Sequence, residues 1–255
     1  MTKVILCGSS GRMGSVICDL AATMPDVEIV AGIDKVGQTA HFLTYANIGD
    51  CNAVADVIIS FLPATEINDT KALIDYGVAR QMPVVICTTG LPVNVEALIA
   101  DASKKVAVLQ SANMSLGINL FVNMLSRASK LLFDSQFDIE IIEKHHNKKL
   151  DAPSGTATLF AKTIAQALGD EMHMVYDRSD THKERQRNEI GMHAIRGGSI
   201  VGEHSVIFAG QGEVIEFKHA AQSREVFAVG AIKAAHFLKD KPPGLYTMQD
   251  LINEL

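Results

Sequence analysis

Between residues 4 and 109, short apolar runs alternate with stretches patterned for helices, and that alternation most limits what this chain can become. The runs cover residues 4–7, 27–33, 57–62, 84–88 and 106–109. They carry almost no charge and several end in glycine or a small polar residue, the pattern of strands buried on both faces. Between them, residues 12–24, 66–80 and 93–104 repeat apolar side chains at helical spacing. Strands alternating with helices in this way predict an open parallel sheet covered on both sides.

The register changes near 113–117. A long helical pattern (116–132) precedes a strand (137–145) that sets Phe and Ile against Asp and Glu. A helix is expected to open at Pro153, inside its own first turn, and to run to residue 168. The polar stretch 177–189 reads as a mobile loop. Three strand-like pieces then follow with no helix between them (190–195, 205–208, 214–219), predicting an antiparallel or mixed sheet and a second domain. A helix over 224–239 and a short one over 248–255 close the chain.

Composition narrows the function classes. At 47% hydrophobic and 20% charged the chain is not disordered, and a formal charge of −6 argues against a sequence-blind nucleic-acid binder. Cys7, Cys18, Cys51 and Cys87 form no CxxC pair, which suits a reducing compartment. The apolar start is too short for a signal peptide or a membrane span, so a soluble, cytoplasmic protein is expected.

The first run leads into Gly8-Ser9-Ser10-Gly11-Arg12-Met13-Gly14, a GxxGxxG loop between strand and helix. Glycine there lets a pyrophosphate approach the backbone, where free N–H groups and the positive helix end meet it. Asp34 ends the second run, where a carboxylate would accept hydrogen bonds from an adenosine ribose. Lys35 follows directly and could meet a 2′-phosphate or lie in solvent, so the choice between NADH and NADPH stays open. Thr88-Thr89-Gly90 and Ala112-Asn113-Met114-Ser115 fall where doubly wound folds bind ligands, at the carboxyl ends of strands.

Glu143-Lys-His145-His146-Asn-Lys-Lys149-Leu-Asp-Ala-Pro-Ser-Gly155-Thr156 is the densest chemical signal. Two histidines and three lysines beside a helix start make an anion trap sized for one or two carboxylates. Adjacent histidines on a strand point to opposite faces, and neither a cysteine nor an HExxH spacing completes a metal site. A histidine in such a pocket can deliver a proton near neutrality.

These residues resemble the dihydrodipicolinate reductase family over essentially the whole chain. Residues 143–157 are similar to its E-x-H-H-x-x-K-x-D-A-P-S-G-T-A signature, and 8–14 to its G-x-x-G-R-M-G. Residues 112–119 resemble its A-N-x-S-x-G-V-N, and 196–204 its R-x-G-x-x-x-G-E-H. The resemblance implies an α/β fold: an N-terminal Rossmann-type doubly wound parallel sheet (1–115) completed by a C-terminal helix (226–255), with an inserted α+β domain (116–225). The insert would bind substrate and form a homotetramer. The implied reaction reduces dihydrodipicolinate, formed from 4-hydroxy-tetrahydrodipicolinate, to tetrahydrodipicolinate with NADH or NADPH, in lysine and diaminopimelate biosynthesis.

By the same resemblance, His145 would donate the proton, Lys149 would be the second catalytic residue, and His146, Gly155 and Thr156 would hold the substrate carboxylates. Gly8, Ser9, Ser10, Gly11, Arg12, Met13, Asp34, Lys35, Cys87, Thr88, Thr89, Ser111, Ala112, Asn113 and Met114 would line the cofactor, and no metal is implied. The chain departs from the family's usual G-T-T-G in carrying Cys87 at its first position, and Asn147 and Lys148 stand where basic residues or His are common. Two rival readings are a different nicotinamide dehydrogenase, acting on an amino acid or aldose, and a non-catalytic NAD(H) sensor. Neither accounts for the His-His-Lys cluster beside its helix start.

Overall fold

The computed structural model describes residues 1–35, 42–169, 172–179 and 182–255; the loop expected at 177–189 thus includes two residues, 180–181, outside the described ones. In chain order the elements are β1 (Thr2–Cys7), α1 (Arg12–Ala21), β2 (Val27–Ile33), β3 (Leu43–Tyr45), a 3-10 turn (Ile48–Asp50), β4 (Val57–Ser60), α2 (Ile67–Ala79), β5 (Val84–Ile86), α3 (Val93–Ser103) and β6 (Ala107–Gln110). Then come α4 (Leu116–Asp134), β7 (Asp138–His145), α5 (Gly155–Leu168), β8 (His173–Val175), β9 (Glu189–Arg196), β10 (Gly202–Ala209), β11 (Val214–Ala221), α6 (Glu225–Leu238), β12 (Gly244–Tyr246) and α7 (Met248–Glu254). They divide into two compact units, Met1–Leu116 with Arg224–Leu255, and Gly117–Ser223.

The first unit holds a seven-stranded sheet in the order β12-β6-β5-β4-β1-β2-β3, with every pair parallel. Strand alternation divides its core in two. Val4 and Leu6 pack with α1, α6 and α7 on one face, while Ile5 and Cys7 pack with α2 and α3 on the other. That two-sided burial explains why the strand sequences read as continuous apolar runs. The order reverses between β1 and β4, and ligands of such sheets sit in the crevice at that reversal.

The second unit is a mixed five-stranded sheet, β11-β10-β7-β9-β8. β7 runs antiparallel to β10 and parallel to β9. One face packs on α4 and α5 through Phe121, Leu125, Phe160 and Ile164. Along β7 the alternate residues Ile139, Ile141, Glu143 and His145 are the buried ones.

Local readings change in three places. α1 ends at Ala21, short of residue 24, because Thr23 and Met24 tighten onto the Leu20 and Ala21 carbonyls. α5 does not include Pro153: Ser154 caps it, its hydroxyl accepting the Ala157 N–H at 3.2 Å, and the helix begins at Gly155. Finally β3, β8 and β12 are three residues each, too short to show a period in sequence.

Candidate active site

In the first unit, β1 ends at Gly8, whose φ of +79° only glycine adopts without strain. A Cβ on Gly8 would lie 3.3 Å from the Phe61 carbonyl at the end of β4, and one on Gly14 would lie 2.2 Å from the Gly8 oxygen. The loop is therefore folded against both β4 and α1 with no room for a side chain at Gly8 or Gly14. α1 has no side-chain cap at Gly11, so its first-turn N–H groups remain for an anion. The Ser10 N–H donates to Asp34 Oδ2 at 2.9 Å, joining the loop to the end of β2.

A cavity of about 660 Å³ opens here, lined by Gly8, Ser10, Gly11, Arg12, Met13, Asp34 and Lys35 among others. Adjoining it through Arg12, Met13, Phe61 and Leu62 is a second cavity of about 400 Å³, lined also by Cys87, Thr88, Thr89, Ala112 and Met114. Ser9, Ser111 and Asn113 line neither cavity. The Ser111 hydroxyl instead donates to the Asn113 carbonyl at 2.8 Å and shapes the loop after β6. Thr88 Oγ1 donates to the Leu62 carbonyl at 2.7 Å, and burial pushes the Cys87 thiol pKa up, so that thiol stays neutral. Crevice, glycine cradle, uncapped helix and acidic strand end together fit a dinucleotide. Sequence reasoning omitted Asn47, Phe61, Glu66 and Asp69 from this lining; only the folded sheet brings their loops to the crevice.

In the second unit, the carboxyl end of β7 meets the start of α5 around a carboxylate with no solvent exposure, Glu143. Arg196, ending β9, grips it with two bonds of 2.6 and 2.7 Å. The Ser154 N–H donates to Oε1 at 3.0 Å, and His145 Nδ1 lies 2.6 Å from Oε2. Burial pushes the Glu143 carboxyl up, but the bonds from Arg196, His145 and Ser154 outweigh it and hold the pKa below the usual range. An ionised carboxylate accepts only, so Nδ1 carries the proton and the ring's other nitrogen, Nε2, is left for exchange. Nε2 would lie 3.0 Å from a Cβ on Gly202, so glycine there leaves it room.

His204 packs edge-on to His145, with centroids 5.0 Å apart, and its Nε2 lies 2.9 Å from the Ser154 hydroxyl. Burial, with His145 adding to it, pushes its pKa down to about 4, so His204 is neutral near pH 7. Lys149 Nζ pairs with Asp151 at 2.9 Å, while His146 Nδ1 is buried with no partner. Gly155 opens α5, and a Cβ there would meet open space. His145, His146, Lys149, Gly155 and Thr156 thus fall within one strand end, one turn and one helix start. Glu143, Arg196 and His204 are the missed members. Strand parity could have revealed Glu143, which stands in phase with Ile139 and Ile141 where an apolar residue belongs.

Comparison with known proteins agrees with both halves. Residues 2–114 match the family model for the dihydrodipicolinate reductase N-terminus, and residues 117–252 that for its C-terminus. The chain is 47% identical to a 4-hydroxy-tetrahydrodipicolinate reductase from Clostridium tetani, covering 99% of this chain and 98% of that one. It is 49% identical to one from Clostridium botulinum, over 99% and 98%. A dipicolinate-bound dihydrodipicolinate reductase from Paenisporosarcina sp. TG-14 shares the fold over the full length of both chains, with a TM-score of 0.80 at 21% identity. A myo-inositol dehydrogenase from Corynebacterium glutamicum shares it more loosely, with a TM-score of 0.57 at 16% identity over 99% of this chain and 93% of that one. The chain belongs to the dihydrodipicolinate reductase family.

Proposed function

We propose the following division of labour for the family's reaction: Met1–Leu116 with Arg224–Leu255 binds the nicotinamide cofactor, and Gly117–Ser223 binds a cyclic dicarboxylate. The chain is an NAD(P)H-dependent reductase that converts dihydrodipicolinate, formed from 4-hydroxy-tetrahydrodipicolinate, to tetrahydrodipicolinate in lysine and diaminopimelate biosynthesis. When bound, the reduced nicotinamide supplies a hydride. Gly8, Gly11 and the first turn of α1 hold its pyrophosphate, and Asp34 its adenosine ribose. Arg12, Met13, Cys87, Thr88, Thr89, Ala112 and Met114 form the walls, Ser10, Ser111 and Asn113 brace the loops, and Ser9 is buried in the glycine loop.

The observation that carries the second half is the buried Glu143–His145 pair at the mouth of α5. Lys149, His146 and the N–H groups opening α5 at Gly155 and Thr156 bind the carboxylates and draw electron density toward the ring nitrogen. His145 delivers its proton from Nε2 while Glu143 holds Nδ1, which fixes both the ring orientation and which nitrogen reacts. Arg196 keeps Glu143 ionised. Four free cysteines, and the lack among the described residues of a helix long and apolar enough to cross a membrane, support a cytoplasmic location. The family resemblance further implies a homotetramer assembled through the second unit, where the face of β11 turned away from α4 and α5 exposes Val214, Glu216, Lys218 and Ala220.

The test follows absorbance of the reduced nicotinamide while a synthase generates substrate from pyruvate and aspartate semialdehyde. Oxidation that depends on the synthase is the expected result. Nucleotide binding without such oxidation would instead favour a sensor or a different dehydrogenase.

A further inference from the structure

Lys35 follows the ribose-binding carboxylate and is the cation best placed to meet a 2′-phosphate, yet it is engaged elsewhere. Its Nζ lies 2.8 Å from Glu66 Oε2 and 2.6 Å from Asp69 Oδ2, both at the start of α2. Glu66 occupies the N-cap position of α2 but makes no capping bond, and its carboxylate turns to Lys35 instead. Hydrogen bonding to Lys35 holds the Asp69 carboxyl below its usual range. All three residues line the 660 Å³ cavity together with Asp34. Among the described residues, the β2 end of that cavity therefore carries three carboxylates against one ammonium. Arg12, the other cation among the described lining residues, also lines the second cavity.

We infer that Glu66 and Asp69 are specificity-determining residues: by holding Lys35 and adding negative charge beside Asp34, they make the protein select NADH over NADPH. A ribose hydroxyl can donate to Asp34 and loses nothing from the neighbouring acids. A 2′-phosphate brings about two negative charges. It would meet the three carboxylates directly, or would have to take Lys35 from two partners. This inference rests on the assignment of the first unit to a nicotinamide cofactor.

The test is equilibrium binding of NADH and NADPH by calorimetry, alongside kcat/KM for each. Wild type is expected to bind NADH about tenfold more tightly, the size that two exposed charge pairs can supply. The preference should shrink as salt rises from 0.05 to 0.5 M, because these charges are screened. Glu66→Gln with Asp69→Asn should shift the ratio of NADPH to NADH affinity about tenfold toward NADPH. Adding Lys35→Met should then abolish that gain. If wild type binds neither nucleotide, the cofactor assignment falls and the inference with it. If both bind and the double variant leaves their ratio unchanged, only the inference falls. Loss of NADH binding in the double variant would also overturn it, since the acids would then be ribose ligands. A gain that survives Lys35→Met would show that the lysine is not the device.

Discussion

His145 and Glu143 stand two residues apart on β7, so strand parity turns both side chains toward the same buried face. That placement lets a carboxylate two positions upstream fix the tautomer of the proton donor. His145→Gln or Lys149→Ala should lower kcat by about 10² or more, while pyridine-2,6-dicarboxylate still binds His145→Gln. Near-wild-type turnover in both variants would refute their roles. Glu143→Gln should cost about 10² in kcat through the wrong tautomer, with little change in dicarboxylate affinity. Equal losses in kcat and in that affinity would mean that the residue only holds the fold. His204 gives a stability signature. Its native pKa of about 4 lies below the ordinary 6.5, so the unfolded chain binds more protons between those values. Acidification from pH 6.5 to 4 should therefore remove up to about 3 kcal/mol of stability. Urea midpoints across that range should fall more steeply for wild type than for His204→Gln.

At the scale of elements, α5 depends on one residue. Ser154 caps the helix through its hydroxyl, bonds Glu143 through its backbone and meets His204 through the same hydroxyl. Ser154→Ala should cost about 1–2 kcal/mol from the lost cap and the stranded imidazole, read as a lower urea midpoint. Unchanged stability would mean that water replaces the hydroxyl. The longer elements were legible in the sequence because their apolar residues keep a period; β2 spans 27–33 as expected. The short strands β3, β8 and β12 lack that signal and are held by pairing with a neighbour, as β12 is by β6. Pro153 was misplaced because proline suits both the first helical position and the position before a cap, and only the Ser154 bond decides between them. Likewise, Lys35 gave no hint of Glu66 and Asp69, which reach it only once β4 leads into α2 beside β2. Glu143 was readable in principle, since a carboxylate in the apolar phase of a strand needs a partner.

At the scale of the molecule, the first unit is built from both ends of the chain. Ala228, Ala231, Ile232, Ala235 and Leu238 of α6, with Met248 and Leu251 of α7, complete the core over Val4, Leu6, Ile59, Val85 and Leu109. α6 packs closely enough that a Cβ on Gly230 would lie 1.7 Å from the Met114 carbonyl oxygen. A chain ending at Ser223 should therefore bind no NADH and aggregate on expression; soluble, nucleotide-binding material would show that α6 is dispensable. In solution the mass by light scattering should be four times 27.5 kDa, the tetramer proposed above. The same discontinuity has a consequence for biogenesis. A nascent chain has only α1 over one face of its first sheet while residues 117–223 are still being translated, roughly 5–20 s at about 5–20 residues per second. Until the last helices leave the ribosome, that apolar surface must be shielded by a chaperone or by the exit-tunnel surroundings, so the half made first is the half that finishes folding last.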